Sequence, residues 1–141
     1  MSLYAESSAV LAWLLDEDTA AAVRHHLAES ELIVASDLTL IECDRVLLRA
    51  AAIGELTEAE VADRRAHLAA AAAHWQLLRI APEVVERSRL AFPAEPVRTL
   101  DAIHLASALL GRSAIAGLQL LSLDERVRRS GRALGFTVLP S

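Results

Sequence analysis

Five short apolar runs alternate along this chain with stretches of helix length, and that alternation is what most restricts its fold. The runs are Ser2–Ala5, Leu32–Ala35, Gln76–Ile80, Leu118–Ser122 and Phe136–Leu139. Each is short enough for a buried strand and is separated from the next by too many residues for a hairpin. Between the first two lie an apolar helical pattern through Val10, Leu11, Leu14 and Leu15 and a second helix over Asp16–Glu29 with Ala20, Val23 and Leu27 on one side. Ser7 or Ser8 is the expected cap of the first helix. Ser36 or Asp37 opens a helix that runs to about Ile53 and stops at Gly54. Thr57 and Glu60 have capping-box spacing and start a helix to about Ala73. Pro82 suits the first turn of the next helix, followed by helices over Thr99–Leu110 and Asp124–Leu134. Strands that alternate with helices predict an α/β fold: a three-layer α/β/α sandwich around a parallel sheet of four to five strands.

At 141 residues, the chain is expected to form one domain over 1–141. The segment Phe92–Pro96 reads as a loop, because the residues after it are too few for a second core. Hydrophobic residues make up 54% of the chain, which argues against disorder. No apolar run is long enough to span a bilayer, and no basic region precedes the first apolar stretch, so neither a membrane segment nor a secretory signal is expected. The single cysteine, Cys43, excludes an internal disulfide, fits a reducing cytoplasm and reads as a small buried residue. All 14 basic residues are arginine, which removes the phosphate-loop and Schiff-base chemistries that need a lysine amine. The net charge of −5 argues against a general nucleic-acid coat protein, but not against a nuclease whose catalytic acids enter the count.

Four acids stand where strands give way to helices: Glu6, Glu42, Asp101 and Asp124. Glu6 and Asp124 fall just past strand ends, and Glu42 and Asp101 in opening turns of helices. In open parallel sheets ligands bind outside the carboxyl ends of the strands, so all four can meet in one crevice. Carboxylates gathered there are hard oxygen donors for a divalent cation, and without one they repel. Taken singly, an acid near a helix N-terminus contributes only about 0.3–1 kcal/mol to the helix.

The segments YAESSAVLAWLL, LTLIECDRVL, RTLDAIHLASAL and LLSLDERVRRSGRALGFTVL, in this order, resemble the signature segments of PIN-domain ribonucleases, in particular the short VapC-like toxins of type II toxin–antitoxin pairs. The resemblance spans nearly the whole chain. It implies a PIN-like fold, Mg²⁺- or Mn²⁺-dependent endoribonuclease activity, homodimerisation and a small cognate antitoxin. By position, Glu6, Glu42, Asp101 and Asp124 are the catalytic metal ligands. Ser122 falls where the family often has a small hydroxyl residue that orients a carboxylate or water. The first family acid is usually Asp; Glu6 carries its oxygens roughly 1.5 Å further from the backbone, which implies a re-set site or a stronger preference for Mn²⁺.

The chemistry explains the donors: hydrolysis of a phosphodiester needs an activated water and charge stabilisation at phosphorus, both of which a bound metal supplies. Arg98, three residues before Asp101, is a candidate phosphate contact, and Ser8 a supporting hydroxyl. Arg126, Arg128, Arg129 and Arg132 form the densest basic cluster, a candidate grip on RNA backbone or a solvent-facing helix. His104, one turn after Asp101, reads as a packed, satisfied ring before it reads as a ligand-orienting group. A Ser8–His104–Asp124 hydrolase is a minor alternative without a nucleophile elbow. The rivals are a non-catalytic PIN-like RNA- or protein-binding module weakened by Glu6, and a hydrolase of small phosphoesters. Trp13 and the Asp16–Glu29 helix offer a surface for an antitoxin segment.

Overall fold

The computed structural model describes all of residues 1–141. Its elements are β1 (Ser2–Ala5), α1 (Ser7–Leu14), α2 (Ala20–Glu29), β2 (Leu32–Ser36), α3 (Asp37–Ala52), α4 (Glu58–Ala72), β3 (Gln76–Leu78), α5 (Pro82–Ser88), α6 (Thr99–Ala114), β4 (Gln119–Leu121), α7 (Glu125–Ala133) and β5 (Val138–Leu139). The five strands pair only in parallel, in the order β3-β2-β1-β4-β5. No helix is long and apolar enough to cross a membrane.

The strands are apolar on both faces because both are covered. Within β1, Leu3 packs with Ala9 and Val23 of α1 and α2, and Ala5 with Val10, Cys43, Leu47 and Val61 of α1, α3 and α4. Tyr4 points the other way, onto Ala102, Leu105 and Ala108 of α6 and Val127 of α7. All three β1 residues are fully buried, and a buried Leu side chain contributes about 1.5–3 kcal/mol. The α/β/α sandwich expected from the alternation is therefore present, with Cys43 in its core.

Two glycines set how closely helices approach the sheet. A Cβ on Gly131 of α7 would sit 2.4 Å from Leu120 Cδ2, and one on Gly111 of α6 would sit 2.9 Å from Leu118 Cδ2. Gly111 therefore does not stop α6, which runs to Ala114, beyond the expected end at Leu110. Strand β3 stops at Leu78 and not at Ile80, because its partner β2 ends at Ser36, the residue paired with Leu78. The second helix starts at Ala20 and not at Asp16, whose φ of 52° lies in the left-handed region and breaks the run. The Thr57–Glu60 capping box, Pro82 in the first turn of α5 and the stop before Gly54 stand as the sequence indicates.

From β1 the chain winds outward through β2 and β3 on one side, while β4 and β5 lie on the other. The junction of β1 and β4 is thus the switch point of the sheet. A crevice opens there outside the carboxyl ends of these strands.

Candidate metal centre

Glu6 is the first residue after β1, and its amide donates to Leu121 O of β4 at 3.0 Å. Its side chain is 5% exposed. It caps α1 itself: Oε2 accepts from the Ser8 amide at 3.1 Å, so neither Ser7 nor Ser8 is the cap. The same oxygen accepts from the Ser8 hydroxyl and from Ser122 Oγ at 2.8 Å. Ser8 Oγ in turn accepts from the amides of Leu123 and Asp124 at 2.8 and 3.1 Å, tying α1 to the loop after β4. The hydrogen bonds to Glu6 all end on Oε2, and the side chain lines the crevice.

Glu42 lies in the second turn of α3, a turn deeper than its sequence position suggests. Its Oε1 accepts from Ser7 Oγ at 2.7 Å and lies 2.5 Å from His104 Nε2. His104, 1% exposed on α6, has its Nδ1 2.8 Å from the Tyr4 hydroxyl and its Nε2 also 2.9 Å from Ser7 Oγ. Burial pushes the Tyr4 phenol well above its ordinary pKa, so it keeps its proton and donates to Nδ1. The partners then assign the Nε2–H tautomer, with Nε2 donating to Glu42. His104 is thus the satisfied core histidine its surroundings suggested, and it also touches a candidate ligand. Ser7 and Tyr4 carry no sequence signal for this network, since Tyr4 lies 100 positions from His104.

Asp101 sits in the first turn of α6, and Asp124 is the N-cap of α7, accepting from the amides of Arg126 and Val127 at 2.9 and 3.3 Å. Arg98 joins them. Its Nε donates to Asp101 Oδ2 at 2.9 Å and one terminal nitrogen to Asp124 Oδ2 at 3.2 Å. The hydrogen bond and charge of Asp101, then Asp124, hold the guanidinium above its ordinary pKa. The loop before it is braced by Glu95, whose carboxylate accepts from the amides of Phe92 and Val97 at 2.8 and 2.7 Å.

Glu6, Glu42, Asp101 and Asp124 all line one cavity of about 400 Å³, together with Ser7, Ser8 and Arg98. Donors of this kind suit a hard divalent cation. As they stand, no three of them approach closely enough to ligate one ion. Each has a protein partner: Ser8 and Ser122 for Glu6, His104 and Ser7 for Glu42, Arg98 for the two aspartates. The four carboxylates are hard oxygen donors of the type a divalent cation takes, and each is held here by hydrogen bonds or by the Arg98 guanidinium.

The two glutamates titrate in opposite directions. Burial raises the Glu6 pKa above its ordinary 4.5, against the hydrogen bonds from Ser8 and Ser122. For Glu42 burial also pushes upward, but His104 and Ser7 outweigh it and hold the group below 4.5. A raised carboxyl binds its proton more tightly in the folded state, so its stabilisation is present at low pH and is lost as pH rises from 4.5 through the folded value. A depressed carboxyl does the reverse, losing its contribution as pH falls below 4.5. Melting temperature measured against pH in EDTA should therefore fall on both sides. Glu6→Gln should flatten the upper decline and Glu42→Gln the lower one; unchanged slopes would contradict these assignments.

Other sequence candidates stand apart from the cavity. Arg128 donates to the carbonyls of Ser122 and Pro140 at 2.8 and 2.7 Å, bracing the end of β4, and Arg132 pairs with Glu125. Arg126 and Arg129 remain exposed. Ser8 faces Glu6 and the β4–α7 loop and not His104, so no Ser8–His104–Asp124 relay is assembled. Trp13 and Trp75 are half-buried against the core on the α1–α4 side.

A parallel sheet with an acidic crevice at its switch point defines the class, and the chain belongs to the PIN domain family, which it matches over residues 3–133. It is 35% identical over 138 residues to Ribonuclease VapC46 of Mycobacterium tuberculosis, spanning 98% of this chain and 96% of that protein. Among solved structures it is similar to Mycobacterium tuberculosis VapC20, described as a Sarcin-Ricin loop cleaving toxin, with a TM-score of 0.65 at 15% identity over 96% of both chains. It is also similar to a toxin–antitoxin complex from Klebsiella pneumoniae, with a TM-score of 0.59 at 20% identity over 88% of this chain and 87% of that one.

Proposed function

We propose that this protein is a metal-dependent endoribonuclease and the toxin of a toxin–antitoxin pair, working in the cytoplasm as a homodimer restrained by a small cognate antitoxin. The observation that carries the reading is the meeting of Glu6, Glu42, Asp101 and Asp124 in one cavity, in a chain 35% identical to a ribonuclease over nearly its whole length. The antitoxin is supported by the Klebsiella pneumoniae complex of the same fold. Exposed apolar side chains, Ile41 and Leu48 on α3 and Ile53 just past its end, offer surface to a protein partner.

In this reading the four carboxylates hold Mg²⁺ or Mn²⁺. The bound cation lowers the pKa of an attacking water and neutralises charge developing on the phosphate oxygens. Ser8 and Ser122 fix the Glu6 carboxylate from two sides, and His104 and Ser7 fix that of Glu42. Such supporting partners are worth about 10–100-fold in metal affinity or activity. The whole site lies within the single domain of residues 1–141.

The test is cleavage of total cellular RNA by antitoxin-free protein in Mg²⁺, Mn²⁺ or EDTA. Discrete products that vanish in EDTA are expected. The capping role of Glu6 favours a second reading, in which a carboxylate committed to Ser8 leaves a binding module without catalysis. Glu6→Asp separates the two. The shorter side chain withdraws from Ser122 and is expected to raise the ratio of Mg²⁺- to Mn²⁺-supported cleavage. Silence from both proteins would favour the binding module.

A further inference from the structure

We propose that Arg98 is a resident counter-ion of the cavity, a stand-in for the metal that must be displaced before a divalent cation can bind. The inference rests on the reading of Asp101 and Asp124 as ligands. Its own observation is the bridge: one guanidinium reaches both Oδ2 atoms, at 2.9 and 3.2 Å, across the mouth of the cleft.

Three features suit Arg98 to that role. First, it is the only arginine among the residues lining this cavity, where four carboxylates would otherwise repel. Second, its backbone is fixed, as the N-cap of α6 following a loop held by Glu95, while its side chain makes no capping bond. Third, that side chain is 55% exposed, so the guanidinium can leave without disturbing the core. Partly exposed ion pairs are weak enough to be exchanged. The planar fork that matches two carboxylates also matches a phosphate, which lets the displaced group bind the RNA backbone at the same rim. Arg98 is thus a positioning residue in the metal-free state and a phosphate contact in the loaded one.

The bridge and the metal compete for the same two aspartates, so removal of the bridge should strengthen metal binding. Free Mn²⁺ is measured by electron paramagnetic resonance during titration of wild type, Arg98→Gln, Arg98→Lys and Asp101→Asn. Arg98→Gln is expected to bind Mn²⁺ about 2–5-fold tighter, the scale of a partly exposed ion pair, and to melt a few degrees lower in EDTA. Its KM for RNA should rise more than its kcat falls, because a phosphate contact is lost. Arg98→Lys keeps the charge without the fork and should fall between the two in Mn²⁺ affinity. Unchanged or weaker Mn²⁺ binding by Arg98→Gln, with Asp101→Asn impaired, would overturn the counter-ion while leaving the site intact. Equal Mn²⁺ binding by wild type and Asp101→Asn would overturn the ligand assignment itself, and the counter-ion with it.

Discussion

Asp101→Asn is expected to lower RNA cleavage by at least about 100-fold, beyond the range for residues that merely orient ligands, and to abolish the rise in melting temperature that Mn²⁺ gives the native protein. The substitution is nearly isosteric and removes one charge. In the metal-free protein its structural effect should be small. Asp101 sits in the first turn of α6, where a carboxylate contributes about 0.3–1 kcal/mol through the helix dipole, and its pair with Arg98 is partly exposed. A helix-end acid would therefore produce a slightly less stable, fully active protein, whereas a ligand produces a folded, inactive one. Asp124→Asn provides a parallel test, because asparagine caps helices as well as aspartate does, so α7 keeps its cap while the carboxylate and its pair with Arg98 are lost. A Mn²⁺-induced shift that survives in both variants would separate these aspartates from the metal.

His104→Leu should have the largest effect on stability. The ring is 1% exposed and joins β1, α1 and α3 to α6 through Tyr4, Ser7 and Glu42. Leucine fills much of the volume but leaves the Tyr4 hydroxyl buried without its acceptor and Glu42 without its donor. An orphaned buried group costs about 1–3 kcal/mol. The expected loss is on the order of 2–4 kcal/mol, and at about 4 °C per kcal/mol for a chain of this size the melting temperature falls by roughly 8–16 °C. Tyr4→Phe should cost less, because it strands only the His104 Nδ1 acceptor, whereas His104→Leu strands both the Tyr4 hydroxyl and the Glu42 carboxylate. The double variant should lose less than the sum of the two, since both remove the same hydrogen bond. Mn²⁺ affinity should also weaken by about 10–100-fold in His104→Leu, as Glu42 loses the group that holds it. Thermal unfolding with and without Mn²⁺ reads both effects. A fully additive double variant with unchanged Mn²⁺ affinity would reduce His104 to packing.

What could be read from the chain, and what could not, follows from the range of the interactions. The strands were legible because parallel strands covered on both faces are continuously apolar, as in Leu32–Ala35 and Leu120–Leu121. An acid immediately after such a run, as at Glu6, stands out against it. The convergence of four acids on one cavity followed from topology, since strand ends in this kind of sheet share an edge. Partnerships across the fold were hidden. Sequence places Arg98 near Asp101 but gives no sign of Asp124, 26 positions on. Nor does it reveal the network of Tyr4 and Ser7 around His104. Glu6 as its own helix cap was missed because Ser is the commoner cap and two serines follow at once. The early end of β3 depends on the length of β2, which is a property of the sheet and not of residues 76–80.

The central claim is that this acidic cavity hydrolyses RNA with a divalent cation and a water, and the ends of the product test it most directly. A synthetic RNA carrying a mapped cleavage site is cut by antitoxin-free protein in oxygen-18 water with Mn²⁺, alongside EDTA and Asp101→Asn controls, and the fragments are weighed by mass spectrometry. Water attack predicts one heavy oxygen in a terminal phosphate, a free hydroxyl on the other fragment, and no product in either control. A cyclic phosphate formed by the neighbouring ribose hydroxyl, or cleavage that persists in EDTA, would contradict the account.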